Sequence, residues 1–148
     1  MKINFIFVFI FILILSCSKD NNIIFLDNDK ILRDYSTNKI KVIYVWASWC
    51  PDCNNTKKQY LNILNKLSKD NRFEIYTISL DIKKSPLIEY AKNSIKWGIY
   101  FEEDKVWDSD IINFLKIESI PSLFIYDGIK NNKQIFYSID EFKDEYFK

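Results

Sequence analysis

Val45-Trp46-Ala47-Ser48-Trp49-Cys50-Pro51-Asp52-Cys53 decides the fold, because an apolar run ends there and a helical pattern begins. Upstream, Lys41 to Trp46 reads Lys-Val-Ile-Tyr-Val-Trp, β-branched and aromatic without polar alternation, which predicts a strand buried on both faces of a sheet. Downstream, Tyr60, Leu61, Leu64 and Leu67 share one helical face opposite Lys57, Lys58, Asn62, Asn65 and Lys66, predicting a helix from Pro51 or Asp52 to about Lys69. A Cys-x-x-Cys at that junction puts Cys50 beside the helix N-terminus, where unpaired N–H groups and a partial positive charge favour a thiolate. Cys50 is then the attacking sulfur. Cys53, on the same turn, is placed to resolve a mixed disulfide while shielded from competing partners. Pro51 fits the first helical position, where its missing N–H costs nothing.

Two other uses of the pair compete with redox exchange. Half of a zinc site needs two further good ligands, yet the chain has 3 Cys in all, the third being Cys17, and no His. A purely structural disulfide across so short a loop removes little unfolded-state entropy. Thiol–disulfide exchange keeps most of the support.

The rest of the chain alternates. Ile23 to Leu26 and Ile31-Leu32 flank Asp27-Asn28-Asp29-Lys30 as a short hairpin signal. Phe73 to Leu80 reads as a second strand, and Ser85-Pro86 as the capped start of a second helix burying Leu87, Ile88 and Ala91. Ile95 to Phe101 is strand-like. Ser109 starts a short helix carrying Ile111, Ile112 and Leu115; Ser122 to Tyr126 is another apolar strand, closed by an Asp127-Gly128 turn, with Lys133 to Tyr137 completing a hairpin. Ser138 and Glu141 make a capping-box pattern ahead of Ile139, Phe142, Tyr146 and Phe147. A βαβα series followed by ββα predicts an α/β domain.

Composition narrows the function. Of 148 residues 48% are apolar, with 12 Phe, 9 Tyr and 4 Trp, enough for one packed core and too much for intrinsic disorder. Lys+Arg at 21 against Asp+Glu at 20 gives a net charge of +1, and no stretch gathers one sign, so nucleic acid is not an expected partner. The absence of His excludes Ser-His and Cys-His nucleophile pairs and the usual zinc or haem ligand. No metal and no cofactor are expected. Trp46 and Trp49 are expected to pack around the site, Trp97 and Trp107 to be core or rim aromatics, and Glu102-Glu103-Asp104 to form a solvated turn.

The N-terminus reads as an address. Lys2 precedes Phe5 to Leu15, an unbroken apolar run of 11 residues, too short at about 1.5 Å each to cross a hydrocarbon core about 30 Å thick. The pattern predicts a signal peptide over residues 1–16, and Ile14-Leu15-Ser16-Cys17 resembles the lipobox of bacterial lipoproteins, in which the Cys becomes the lipidated first residue. Residues 17–22 are then a lipidated tether and 23–148 the folded domain. With Cys17 carrying lipid, Cys50 and Cys53 remain as an even pair in a compartment where disulfides persist.

Val45 to Cys53 also resembles the active-site stretch of the thioredoxin superfamily, and within it the membrane-attached, extracytoplasmic TlpA/ResA-type thiol–disulfide oxidoreductases. Ile78-Ser79-Leu80-Asp81 is similar to that family's second central strand, and Ile117 to Gly128 to the segment that carries its cis-proline. The resemblance implies a thioredoxin fold: a central mixed sheet flanked by helices, with an extra βα unit, Ser85 to Phe101, between the Cys-x-x-Cys helix and the cis-proline strand. It implies a cis Ile120-Pro121 bond beside Cys50 and Cys53, with Trp49, Ile120 and Pro121 lining the substrate site; an ordinary strand-initiating proline is the other reading of Pro121. Pro51, by its helical position, and Asp52, by a charge that opposes the helix dipole at Cys50, are expected to tune the pair. Three positions depart from the family. Tyr44 stands where thioredoxins carry a buried Asp, Thr56 where some ResA-type members have Glu, and Asp52 where Pro usually precedes the second Cys. Water, Asp52 or Tyr44 is left to accept the Cys53 proton. Peroxiredoxin chemistry is excluded, since Ala47 occupies the position of its Thr.

The expectation is a monomeric, membrane-anchored thiol–disulfide oxidoreductase of the bacterial cell envelope, facing the periplasm or extracytoplasmic space. It would act as a reductant on secreted or envelope protein thiols and disulfides, fed by a membrane electron donor. The alternative is a redox-silent thioredoxin-like lipoprotein serving as a binding module.

Overall fold

The computed structural model describes residues 24–26, 38–92 and 94–147. The expected signal peptide, Cys17, the tether and most of the expected first hairpin lie outside them. Among the described residues ten elements follow in order: β1 (Ile40–Trp46), α1 (Pro51–Leu67), β2 (Phe73–Ser79), α2 (Lys84–Ala91), β3 (Gly98–Phe101), a 3-10 turn (Val106–Asp108), α3 (Asp110–Leu115), β4 (Ser122–Asp127), β5 (Asn132–Phe136) and α4 (Ile139–Tyr146). They make the α/β arrangement that the alternation of patterns implied, including the extra βα unit, here α2 and β3.

The five strands form one mixed sheet in the order β3-β2-β1-β4-β5. β1 runs parallel to β2 and antiparallel to β4. The outer pairs extend each half, β2 with β3 parallel and β4 with β5 antiparallel. β1 and β4 sit centrally and are buried on both faces, which is why their sequences lack polar alternation. β5 is an edge strand with Asn132 and Lys133 exposed, a charged edge of the kind that discourages further pairing.

At the opposite edge, residues 24–26 lie against β3. Leu26 N–H donates to the Ile99 carbonyl at 2.8 Å, and Ile99 N–H to the Ile24 carbonyl at 2.8 Å. Gly98 permits this approach, because a Cβ there would sit 2.5 Å from Leu26 Cδ1.

α1 buries Cys53, Tyr60, Leu61, Ile63, Leu64 and Leu67 on the sheet. α2 departs from expectation. It begins at Lys84 with Lys83 as an N-cap that makes no side-chain bond, so Ser85 and Pro86 lie inside the first turn. Tyr90, rather than Ile88, joins Leu87 and Ala91 in the core, and Ile88 is 40% exposed. Pro is tolerated anywhere in the first turn, so the start lies a residue or two earlier, and the stacking of Tyr90 on Trp46 in the core leaves Ile88 facing outward. The β4–β5 turn is built by the Asp127 side chain, whose Oδ1 accepts the N–H groups of Ile129 and Lys130 at 3.0 and 3.1 Å. Its left-handed residue is Asn131, φ 49°, not Gly128.

Candidate functional site

The chain leaves β1 at Trp46 and enters α1 at Pro51, so Ala47 to Cys50 form a short loop at the sheet's C-terminal end. Cys50 is the N-cap of α1, and Pro51 takes the first helical position. Cys50 and Cys53 are joined as a disulfide with Cα atoms 5.2 Å apart. Cys53 N–H donates to Cys50 Sγ at 3.0 Å, so one of the helix's orphan donors points at the sulfur. Both cysteines are nearly inaccessible, at 4% and 0% exposure.

The segment before β4 closes over the pair. The Ile120–Pro121 peptide bond is cis, and the Ile120 carbonyl oxygen lies 3.8 Å from Cys50 Sγ. Ile120 is half-buried and Pro121 buried. Trp49 is 49% exposed and donates its indole N–H to the Leu80 carbonyl at 3.1 Å. A cleft of about 450 Å³ opens beside Asp52, Thr56, Tyr60, Ile120, Pro121 and Tyr137. A second, of about 400 Å³, opens beside Trp49, Ile82, Lys83 and Pro86.

The structure therefore brings Trp49, Cys50, Pro51, Cys53, Ile120 and Pro121 to one place, with Asp52 on the exposed first turn of α1. Thr56 turns its hydroxyl to the Asp52 carbonyl at 2.6 Å. Tyr44 is fully buried and stacks on Tyr60 of α1 with ring centroids 4.9 Å apart. Burial, reinforced by the Tyr90 and Tyr60 phenols, pushes Tyr44 far above its ordinary pKa, so at neutral pH it holds its proton and cannot serve as a base. Of the three acceptors considered for Cys53, water and Asp52 remain.

Other residues here carried no signal of their own in the sequence. Tyr90 stacks on Trp46 at 4.1 Å and donates its hydroxyl to the Cys53 carbonyl at 3.3 Å. Lys57 lies 3.7 Å from the centre of the Tyr90 ring and donates to the Tyr90 carbonyl at 2.6 Å; burial lowers its pKa. Asp81 holds Ser48, the residue two before Cys50. Only the Ser79-x-Asp81 spacing, two polar groups on one side of a strand end, hints at that contact. Among the described residues no cluster of His, Cys, Asp or Glu could hold a metal ion, and no helix is long and apolar enough to cross a membrane.

The sequence profile described as thioredoxin-like matches residues 38–135, a span containing the cysteine pair, the cis-proline and nearly the whole sheet. The chain belongs to the thioredoxin-like family. Among curated proteins no sequence matches it. Solved structures do. The C-terminal domain of a Bacteroides thetaiotaomicron protein assigned as a thiol–disulfide oxidoreductase superposes with a TM-score of 0.63 at 20% identity, over 76% of this chain and 78% of that one. Tryparedoxin I from Leishmania major gives 0.55 at 25% identity, over 68% and 69%. A secreted Mycobacterium tuberculosis disulfide oxidoreductase homologous to E. coli DsbE gives 0.57 at 15% identity, over 74% and 81%. The thioredoxin fold is thus common to all of them, and this thioredoxin-like domain carries at its helix N-terminus the cysteine pair on which thiol–disulfide exchange depends.

Proposed function

We propose that this thioredoxin-like protein is a TlpA/ResA-type reductant of protein disulfides, held at the bacterial cell envelope by lipid on Cys17. The observation that carries the redox role is the Cys53 N–H aimed at Cys50 Sγ, which supplies a preformed donor to a thiolate at the helix N-terminus. In the reducing direction the Cys50 thiolate attacks a client disulfide, forming the Cys50–client bond and releasing one client thiolate, which takes up a proton. Cys53, deprotonated by water or Asp52, then attacks Cys50 Sγ, forming the Cys50–Cys53 bond and releasing the second client thiol. Two electrons and two protons pass from this protein to the client. A membrane donor returns them. Trp49, Ile120 and Pro121 flank the sulfurs where a client strand would lie, and the backbone of half-buried Ile120 suits strand pairing.

Asp52 supports the direction. Its negative charge opposes the helix dipole at Cys50, and in a water-like medium one turn away that repulsion is below about 1 kcal/mol. Asp52→Asn is therefore expected to lower the Cys50 pKa and raise the potential by about 15 mV, where 30 mV corresponds to about 1.4 kcal/mol. An unchanged potential with an unchanged pKa would remove Asp52 from the argument.

Alkylation followed by mass spectrometry tests the function itself. Cys50 and Cys53 are expected to pass between dithiol and disulfide within buffers poised from about −120 to −300 mV, and Cys53→Ala to accumulate client proteins on Cys50. A pair that stays in one state throughout would leave the binding module as the surviving reading. Cys17→Ser is expected to abolish palmitate incorporation and yield a protein that fractionates as soluble; incorporation that persists would reject the lipid anchor.

A further inference from the structure

Three donor groups converge on one buried carboxylate beside the redox loop. Asp81, 1% exposed, accepts the Ser48 N–H at 3.1 Å on Oδ1 and 3.3 Å on Oδ2, the Ser48 hydroxyl at 2.5 Å on Oδ1, and the Ser79 hydroxyl at 2.7 Å on Oδ2. A carboxylate taken out of water persists only where donors replace that water. Among the described residues no lysine or arginine forms an ion pair with it, so its charge is solvated by dipoles and not cancelled.

This carboxylate is built into the loop that delivers Cys50. Ser48 is also held through its carbonyl, which accepts Asn54 Nδ2 of α1 at 2.9 Å. Leu80, the neighbour of Asp81, donates to the Trp46 carbonyl at 2.9 Å and accepts the Trp49 indole N–H at 3.1 Å. The end of β2 therefore grips Trp46, Ser48 and Trp49 in turn. The field of Asp81 also reaches the packing around Cys53. Together with burial it raises the pKa of Tyr90, and the Tyr90 hydroxyl donates to the Cys53 carbonyl.

We propose that Asp81 is a positioning residue for Cys50 whose buried negative charge disfavours the Cys50 thiolate, destabilises the dithiol form and makes the couple more reducing. This rests on the reading of Cys50 and Cys53 as a redox pair. It adds to Asp52 a second, buried carboxylate that biases the pair in the reducing direction. Lys83, which shares with Asp81 the cleft beside Trp49, Asp52 on the exposed first turn of α1, Lys57 on α1, Tyr90 on α2 and Tyr44 on β1 are other charged or titratable groups about the site, and none changes in the test.

Asp81→Asn keeps the shape and removes the charge. Asn Oδ1 can still accept the Ser48 N–H and hydroxyl, while Nδ2, in the place of Oδ2, donates to the Ser79 hydroxyl, which rotates to accept. In the full chain in detergent, equilibrated with glutathione and quenched by alkylation, the redox equilibrium constant is expected to move about tenfold toward the dithiol, equivalent to about 30 mV, and Cys50 to titrate at lower pH. A purely structural Asp81 would change the unfolding midpoint and leave the potential in place. A shift of threefold or more toward the dithiol supports the proposal, and a smaller one overturns it. If the variant does not fold, Ser79→Ala takes its place. Loss of one hydroxyl leaves the carboxylate less neutralised, so the constant is expected to move at least twofold the other way, and failure to move overturns the proposal. A wild-type pair that never interconverts would remove the functional reading and this inference together; a wild-type couple that Asp81→Asn leaves untouched removes this inference alone.

Discussion

Tyr44 shows how one side chain changes the chemistry available around a cysteine pair. Its hydroxyl is buried, with the Tyr90 phenol as its polar neighbour and no hydrogen bond of good geometry among the described residues, and burial holds it protonated. Such a group costs stability without serving as a base. Tyr44→Phe is expected to leave stability equal or higher by up to about 1 kcal/mol and to leave the rate at which Cys53 resolves a mixed disulfide within twofold. Urea unfolding and stopped-flow kinetics measure the two quantities. A tenfold slower resolution would place Tyr44 on the proton path after all.

At the scale of elements, ring packing holds the last helix beside a Ser138 cap and a Tyr146 hydrogen bond to Gln134, while the first described segment is paired to β3. α4 docks through Phe142, fully buried, with ring centroids 5.7 Å from Phe136, 5.1 Å from Tyr146 and 6.0 Å from Phe147. Phe142→Ala is expected to cost about 3–5 kcal/mol. Ser138, whose hydroxyl oxygen accepts Asp140 N–H at 3.2 Å, is expected to cost only about 1 kcal/mol when replaced by Ala. Denaturant titration separates these, and equal losses would mean that α4 is held by its cap. Gly98→Ala drives a methyl group into Leu26 and is expected to cost about 1–3 kcal/mol. Faster amide exchange confined to Leu26 and Ile99 would report that loss.

The whole molecule carries an alkaline liability spread over its phenols. Burial raises Tyr60, Tyr100 and Tyr146 each to about 12, and raises Tyr44 and Tyr90 as well. A folded-state pKa above the unfolded value of about 10 means that the native chain binds more protons between the two, so stability is full below about pH 10 and falls as pH climbs toward 12. Lys57, whose pKa is lowered, acts in the opposite sense as a single group. The melting temperature is expected to fall steeply above pH 10, in step with tyrosinate absorbance. A flat melting profile to pH 12 would contradict the burial of these rings.

Sequence alone determined the order of the described strands and helices, the placing of Cys50 and Cys53 at a strand-to-helix junction, and the double burial of β1. All three follow from local pattern: apolar continuity, 3.6-residue spacing, and a proline where a helix tolerates it. Local pattern was weaker where two registers fit equally well, as at Ser85-Pro86, and there packing turned Tyr90 inward and Ile88 outward. The tertiary structure alone decided what surrounds the sulfurs. Ser48 and Asp81 are 33 residues apart, Tyr90 and Cys53 37, and Ile120 and Cys50 70. A side-chain period describes only neighbours on one element, whereas these contacts arise where parallel strands end side by side and loops from separate elements meet.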